Sequence, residues 1–188
     1  THTLTLFPYT TLFRSPLYDA VVVGGGPAGA TAADDLARAG RKVLLLDRAG
    51  RIKPCGGAIP PRLIKDFAIP DSQLAARAHS ARMVSPADVR VDIPIEGGFV
   101  GLVDREHFDE FLRERATSHG AERRNGRFER LERDADGTAV VVYQPASGDA
   151  DSAAPPQRVR ARAVVGADGA RSMVAQQAIP GIQKVACV

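Results

Sequence analysis

The sequence is poor in several residue types, and each scarcity excludes a class of function. It contains no tryptophan, and aromatic residues make up only 5% of its 188 residues. The chain therefore lacks the stacking platforms on which proteins bind single-stranded nucleic acid. Its formal net charge of +3 is too small to indicate a nucleic-acid partner. No apolar run approaches the roughly 18 residues that a membrane-spanning helix needs, so we predict no such span.

Cysteine and histidine are also scarce. The two cysteines, Cys55 and Cys187, lie far apart in the chain, and the four histidines show no metal-ligand spacing. The sequence therefore predicts neither a metal site nor a disulfide framework, and it indicates a reducing, cytoplasmic environment. Hydrophobic residues at 44% and charged residues at 25% are typical of a globular domain with a core.

The first fifteen residues, 1–15, resemble the translation of a sequencing-library adapter, and we leave them out of the fold. They lack the basic region and the small-residue cleavage site of a signal peptide. If they are an artefact of an assembled read, the C-terminus is an arbitrary break as well. We therefore expect the chain to be a fragment of a longer protein.

From Tyr18 onward the residue pattern predicts a strand, a helix and a second strand. “YDAVVV” is a short β-branched run that leads into glycines. The stretch 27–39 is an alanine-rich helix with proline at its start and Gly40 just past its end. “KVLLLD” follows as a second buried strand. Together they make the start of an α/β fold.

Farther along the chain, strands and helices continue to alternate. The stretch 48–61 is predicted to be a loop, followed by a short helix to about Phe67. The remaining elements are three short strands within 81–103, a helix from Asp104 to Gly120, three strands of a meander (“GRFERLERD”, “TAVVVYQ” and “RVRARAVVGADG”), and a last helix over 170–178.

The turn after the first strand carries a dinucleotide-binding motif. Gly24, Gly26 and Gly29 follow the pattern G-x-G-x-x-G, leave a predicted strand and open a predicted helix. The first glycine permits the tight turn, the second lets the backbone approach a pyrophosphate, and the third lets helix and strand pack closely. Pro27 and Ala28 begin the helix, whose N-terminus faces the phosphate charge.

Asp47 ends the second strand, roughly 20 residues after the first glycine, where dinucleotide-binding folds place an acid. Its carboxylate can accept hydrogen bonds from a ribose diol, and its charge opposes a 2′-phosphate. Arg48, the next residue, either stacks on adenine or stays solvated. The sequence therefore predicts a bound dinucleotide with Asp47 on its ribose.

A second glycine motif, “GADGARS” at 166–172, follows the last predicted strand. Gly166 and Gly169 allow a tight crossing, and Asp168 can accept hydroxyl or backbone hydrogens. The alternative is an ordinary turn in which Ser172 or Asp168 caps a helix. The stretch resembles the second fingerprint of FAD-dependent enzymes built like p-hydroxybenzoate hydroxylase. That resemblance implies that Asp168 and Gly169 lie close to FAD.

“GLVDREHFDEFLRERA” resembles the helix of the same family whose first arginine reaches the flavin. That arginine is Arg105 here, and the alternative is a solvated surface arginine. The resemblance implies a Rossmann-like FAD-binding domain of the glutathione reductase and p-hydroxybenzoate hydroxylase type, with a parallel sheet and a β-meander. We assign 16–80 and 104–188 to this discontinuous domain, and 81–103 to the start of a partial, β-rich substrate domain.

“KPCGGAIPP” resembles a loop of the geranylgeranyl reductases, in particular the branch that acts in chlorophyll and bacteriochlorophyll synthesis. Together with the two preceding motifs it implies the N-terminal half of such an enzyme. Cys55, Gly56 and Gly57 would then lie beside the flavin, where the glycines leave room for the ring and offer N–H groups. Cys55 either donates a proton or shapes the pocket.

The resemblance implies a flavoprotein oxidoreductase that reduces isolated double bonds of a geranylgeranyl chain to give a phytyl chain. NADPH would reduce FAD, and the reduced flavin would pass hydride to the alkene. The isoprenoid substrate, either the free diphosphate or a chlorophyll ester, implies peripheral association with a membrane. A late Gly-Asp motif of the family is missing, since “SGDADS” at 147–152 lies in the wrong place, so we expect this fragment to be inactive.

Three alternatives stay open at the level of the sequence. One is an FAD-dependent hydroxylase or halogenase of the same fold, which uses oxygen. Another is a related reductase of archaeal-type lipids. The third is a dinucleotide-binding remnant without activity.

Overall fold

The computed structural model describes residues 16–48, 54–146 and 154–182. In chain order the elements are β1 (Leu17–Val23), α1 (Pro27–Arg38), β2 (Val43–Asp47), β3 (Ala58–Ile59), α2 (Pro61–Asp66), a short 3-10 helix (Asp71–Gln73), β4 (Ala76–Ala78), β5 (Ser80–Val84), β6 (Arg90–Pro94), β7 (Val100–Leu102), α3 (Arg105–Ser118), β8 (Glu122–Arg133), β9 (Ala139–Pro145), β10 (Gln157–Gly166) and α4 (Met173–Ala178).

Five of these strands pair in a closed ring in the order β1, β10, β9, β8 and β2. β1 lies between β2 and β10 and runs parallel to both, and β2 is also parallel to the start of β8. β8, β9 and β10 form the predicted antiparallel meander, which closes the ring. The parallel half places the ends of β1, β2 and β10 at one edge of the sheet, and both glycine motifs follow there.

The apolar runs of the parallel strands are buried because both faces of the sheet are covered. Val21 and Val23 belong to a core cluster inside the ring, with Tyr143 and Val141 of the meander. Val22, whose side chain points the opposite way, packs in a second cluster with alanines of α1 and α3. Uninterrupted hydrophobic runs in β1 and β2 therefore reflect two separate cores.

Helices α1 and α3 pack against each other over one face of the sheet. The predicted cap of α3 is confirmed: an Asp104 side-chain oxygen accepts a hydrogen bond from the Glu106 N–H at 2.9 Å. The helix ends at Ser118, two residues before the predicted Gly120. This pairing brings the start of α3 beside the first turn of α1, which is the part of the fold that builds the candidate site.

Several predicted boundaries are wrong. β8 begins at Glu122, before “GRFERLERD”, because residues 122–125 pair with the end of β2. β3 and β4 lie where no strand was predicted, and both pair with β7. The last helix begins at Met173 and not at residue 170. Residues 1–15, “SGDADS” and Cys187 lie outside the described residues.

The predicted strands within 81–103 are observed, and two of them, β5 and β6, form a separate hairpin. All residues of this hairpin are exposed, including Met83 and Val91, which face each other across it. The division of the chain into a FAD-binding and a substrate domain stays a prediction. In the described part of the chain, no helix is long and apolar enough to cross a membrane.

Candidate functional site

The turn between β1 and α1 is pressed against the second glycine motif. Gly24 has φ +108°, and a Cβ on it would lie 2.4 Å from the Ala167 carbonyl oxygen, so only glycine fits. The Ala167 N–H donates to the Val23 carbonyl oxygen at 2.8 Å. The two motifs, far apart in the sequence, therefore form one continuous surface at the end of the sheet.

The N-terminus of α1 faces open space. Gly26 is the N-cap and provides no side-chain hydrogen bond, so the first N–H groups of the helix are left for another acceptor. A Cβ on Gly26 would have no atom within 4 Å. An open cradle above a helix N-terminus fits a pyrophosphate. The contacts of Gly26, Pro27 and Ala28 with a cofactor stay predictions, which this shape supports.

Asp47 is tied to the phosphate turn and to α3. Its Oδ1 accepts the Gly25 N–H at 2.9 Å, and its Oδ2 lies 3.3 Å from Nη1 of Arg113. The same nitrogen donates to the Gly25 carbonyl oxygen at 3.0 Å. Gly25 and Arg113 are site residues that the sequence reasoning missed. Arg48 is exposed, and its contact with adenine stays a prediction.

Asp168 caps the last helix. Its Oδ2 accepts the N–H groups of Met173 at 2.6 Å and Val174 at 3.2 Å. The Ser172 hydroxyl donates to the Asp168 carboxylate and accepts the Ala175 N–H at 2.9 Å. Both capping roles considered for this motif are therefore present. The contact of Asp168 and Gly169 with FAD stays a prediction, supported by the closeness of Gly24.

The cysteine loop is fixed to the residue before α3. Gly57 has φ +68°, and a Cβ on it would lie 2.0 Å from the Val103 carbonyl oxygen. The Val103 N–H donates to the Gly57 carbonyl oxygen at 3.0 Å. A Cβ on Gly56, in contrast, would meet no atom within 4 Å. The loop is therefore rigid on one side and open on the other, where Cys55 is exposed.

Arg105 is held at the start of α3 by an ion pair within the helix. Its Nε and Nη2 donate to the two carboxylate oxygens of Asp109, each at 2.8 Å, and both side chains are largely buried. The hydrogen bond to Asp109, with a smaller one to Cys55, raises the pKa of Arg105. Asp109 thus holds a guanidinium beside the cysteine, and the sequence reasoning did not single it out.

An apolar cavity of about 460 Å³ lies between the start of α1, the cysteine loop and the start of α3. Its walls come mainly from apolar side chains, including Ile59, Leu63 and Phe108. The predicted site residues that line it are Pro27, Ala28, Cys55, Gly57 and Arg105. The other predicted residues are absent from its lining: they are Gly56 of the cysteine loop and the residues in the two glycine motifs and around the end of β2. Within the residues described, no group of three or more acidic, histidine or cysteine side chains could hold a metal ion.

Comparisons with known proteins agree with this architecture. Residues 17–185 match the family model described as FAD binding domain. The chain is 62% identical over 157 residues to the geranylgeranyl diphosphate reductase of Rhodobacter capsulatus, covering 84% of this chain and 39% of that protein. It is 41% identical over 165 residues to the chloroplastic geranylgeranyl diphosphate reductase of Oryza sativa subsp. japonica, covering 82% and 35%. The chain spans less than two fifths of the length of these relatives.

Among solved structures, the fold is similar to a geranylgeranyl bacteriochlorophyll reductase-like protein from Thermoplasma acidophilum. The TM-score is 0.74 and the identity 24%, covering 92% of this chain and 44% of that chain. At this identity the likeness shows the fold alone. The predicted α/β, Rossmann-like FAD-binding fold is thereby confirmed, and the relatives confirm the resemblance of the motifs to the geranylgeranyl reductases.

Proposed function

This chain belongs to the family of FAD-binding domains, and from that premise we propose that it is the flavin-binding part of a geranylgeranyl reductase. The reaction would reduce isolated C=C bonds of a geranylgeranyl chain. FAD, when bound, supplies a carrier that takes hydride from NAD(P)H and passes it to an alkene. The electron donor, the choice between free diphosphate and chlorophyll ester, and a peripheral position at a membrane in the cytoplasm all belong to this proposal.

The observation that carries the proposal is the shared cavity. The first turn of α1, the cysteine loop and Arg105 all line one space of about 460 Å³, a size typical of small-molecule sites. Its walls are mostly apolar, which suits an isoprenoid chain better than a charged or aromatic-hydroxyl substrate. The apolar cavity beside the N-terminus of α1 therefore supports a proposal in which an apolar substrate lies next to the phosphates of the cofactor.

An isolated alkene has no carbonyl on which developing charge can rest, so the protein must position it and deliver a proton. We assign Cys55 as the side chain that donates this proton. The neighbouring Arg105 contacts the cysteine and is itself held by Asp109. Gly56 and Gly57 would keep the backbone close to the ring, while Arg48, Asp168 and Gly169 would contact the cofactor.

A chimeric enzyme tests the reaction, because the relatives are more than twice as long as this chain. Residues 17–188 would replace the matching segment of the Rhodobacter capsulatus reductase, with the unaltered reductase as the control. Incubated without oxygen with FAD, NADPH and geranylgeranyl diphosphate, the chimera is expected to give products heavier by successive pairs of hydrogens in mass spectrometry. A product that forms only in air and carries one added oxygen would contradict the reductase activity and indicate a hydroxylase. A folded chimera that binds FAD without turnover would overturn the proposal.

The role of Cys55 is tested in the same chimera by Cys55→Ala. Removing a proton donor is expected to lower kcat by about 10²-fold, the lower end of the range for general acids, with little change in KM. Cys187→Ala is the matched control and is expected to leave kcat unchanged. If Cys55→Ala raises KM with kcat intact, the cysteine shapes the pocket and does not donate the proton.

A further inference from the structure

The acid at the end of β2 is held in place by an arginine from a distant part of the chain. Arg113, on the second half of α3, reaches both Asp47 and Gly25. We propose that Arg113 is a positioning residue that fixes the Asp47 carboxylate for the ribose of the bound dinucleotide. This inference rests on membership of the FAD-binding family and is independent of the reductase reaction.

The contacts define where the carboxylate stands. The Gly25 N–H holds Oδ1 at 2.9 Å, and Nη1 of Arg113 faces Oδ2 at 3.3 Å and the Gly25 carbonyl oxygen at 3.0 Å. One guanidinium nitrogen thus bridges the acid and the phosphate turn. A Cβ on Gly25 would lie 2.5 Å from Cγ of Asp47, so the carboxylate packs directly against the turn.

Arg113 is fixed from its other side as well. Its Nε and Nη2 contact Oε2 of Glu110 at 2.9 and 2.8 Å. Both Arg123 and Arg113 bind the Glu110 carboxylate, and the hydrogen bond from Arg123, ahead of that from Arg113, lowers its pKa. Glu110 therefore stays ionised and orients the guanidinium. Lysine could not make these contacts at once, because it lacks the planar fork of nitrogens.

The network leaves the acid with acceptor capacity. A carboxylate has about four lone-pair sites, and the contacts above use one on each oxygen. Its side chain is 16% exposed and that of Arg113 15%, so the pair lies at the edge of the open turn and not in the core. The remaining lone pairs can accept hydroxyl groups of a ribose. Without Arg113 the Asp47 carboxylate would lose one of its two fixed partners, and it could then turn away from the ribose hydroxyl groups.

The alternative is that Arg113 only ties α3 to the sheet. The two roles differ in one measurable quantity, the preference for a ribose over a 2′-deoxyribose. A merely structural residue would weaken binding of both sugars by the same factor. A residue that positions Asp47 would weaken binding of the ribose form selectively, because only that form offers the 2′-hydroxyl.

The test uses the 188-residue chain, with FAD and its 2′-deoxyadenosine analogue as probes and flavin fluorescence as the readout. The unaltered chain is expected to bind FAD about tenfold more tightly than the analogue, the effect of one charge-assisted hydrogen bond. Arg113→Met is expected to reduce this ratio below about threefold. Arg127→Met is the control, because that arginine is exposed and pairs at the surface with Glu129, and it is expected to leave the ratio unchanged.

Several outcomes would overturn the inference. They are an equal loss of affinity for both probes in Arg113→Met, an unchanged ratio, a wild-type chain that shows no preference, and a wild-type chain that binds neither probe. Thermal melting shows whether Arg113→Met folds. If it does not, Arg113→Lys, which keeps the charge, takes its place, and a retained tenfold ratio in that variant would count against the proposal. Because no turnover is measured, failure of the reductase proposal would leave these results unaffected.

Discussion

Gly29→Ala is expected to destabilise the folded chain by more than about 4 kcal/mol, a loss that few single substitutions reach. A Cβ at this position would lie 1.8 Å from the Gly24 carbonyl oxygen and 3.0 Å from Cβ of Ala167. The obstacle is backbone, and the Gly24 N–H is bonded to the Leu46 carbonyl oxygen at 2.8 Å. The turn therefore cannot move aside without breaking its contact with β2, and α1 would have to lift off the sheet.

Urea denaturation of Gly29→Ala and Gly26→Ala measures this effect against a matched control. Both variants make the same substitution in the same motif, but a Cβ at Gly26 would meet nothing within 4 Å. We expect Gly26→Ala to change the free energy of unfolding by no more than about 0.5 kcal/mol and to weaken FAD binding, because the methyl group enters the cradle. Equal stabilities for the two variants would mean that helix and turn are not packed as described.

Asp34→Ala is expected to lower the free energy of unfolding by about 3–5 kcal/mol, the usual effect of removing one partner of a buried ion pair. Asp34 lies on α1 with its side chain only 3% exposed. Its carboxylate contacts Nδ1 of His119 at 2.5 Å and Nε of Arg115 at 3.3 Å. Without the acid, the largely buried guanidinium of Arg115 would lose its carboxylate at the junction of α1 and α3.

The adjacent residue provides the control for this prediction. Asp35 lies on the same helix and is exposed, so Asp35→Ala should change the free energy of unfolding by no more than about 0.5 kcal/mol. Chemical denaturation of both variants separates the effect of the ion pair on stability from the change in helix propensity, which is the same in the two substitutions. A loss below about 1 kcal/mol in Asp34→Ala would contradict a stabilising role for the acid.

The parts of the fold that the sequence predicts are those with local causes. Neighbouring residues alone determine several features: the strands “YDAVVV” and “KVLLLD”, the cap at Asp104 and the glycine turns. All of them are found in the structure. The start of β8 escaped prediction because “ERRN” is charged and polar, and it becomes a strand only through its pairing with β2. β3 and β4 are two and three residues long and exist only as partners of β7.

The same distinction holds for the site. Gly24, Gly26, Gly29 and Asp47 follow a known spacing, which a single sequence displays. Arg113 could not be found in this way, since its contact with Asp47 depends on α3 packing beside the end of β2. Asp109 offers a weak local signal, because it stands four residues after Arg105, a spacing at which helical side chains meet. Nothing in the sequence, however, says that such a pair would lie next to a cysteine.

The pairing of β1 with β10 has a consequence for how the protein is made. Ala20 lies in register with Ala163, so the strands that meet are separated by most of the chain. A ribosome adds about 5–20 residues per second, and β10 therefore leaves it on the order of ten seconds after β1. During that interval one edge of β1 has no partner and the phosphate turn lacks its support at Ala167. Until then the nascent chain is open to wrong strand pairing at the exposed edge of β1.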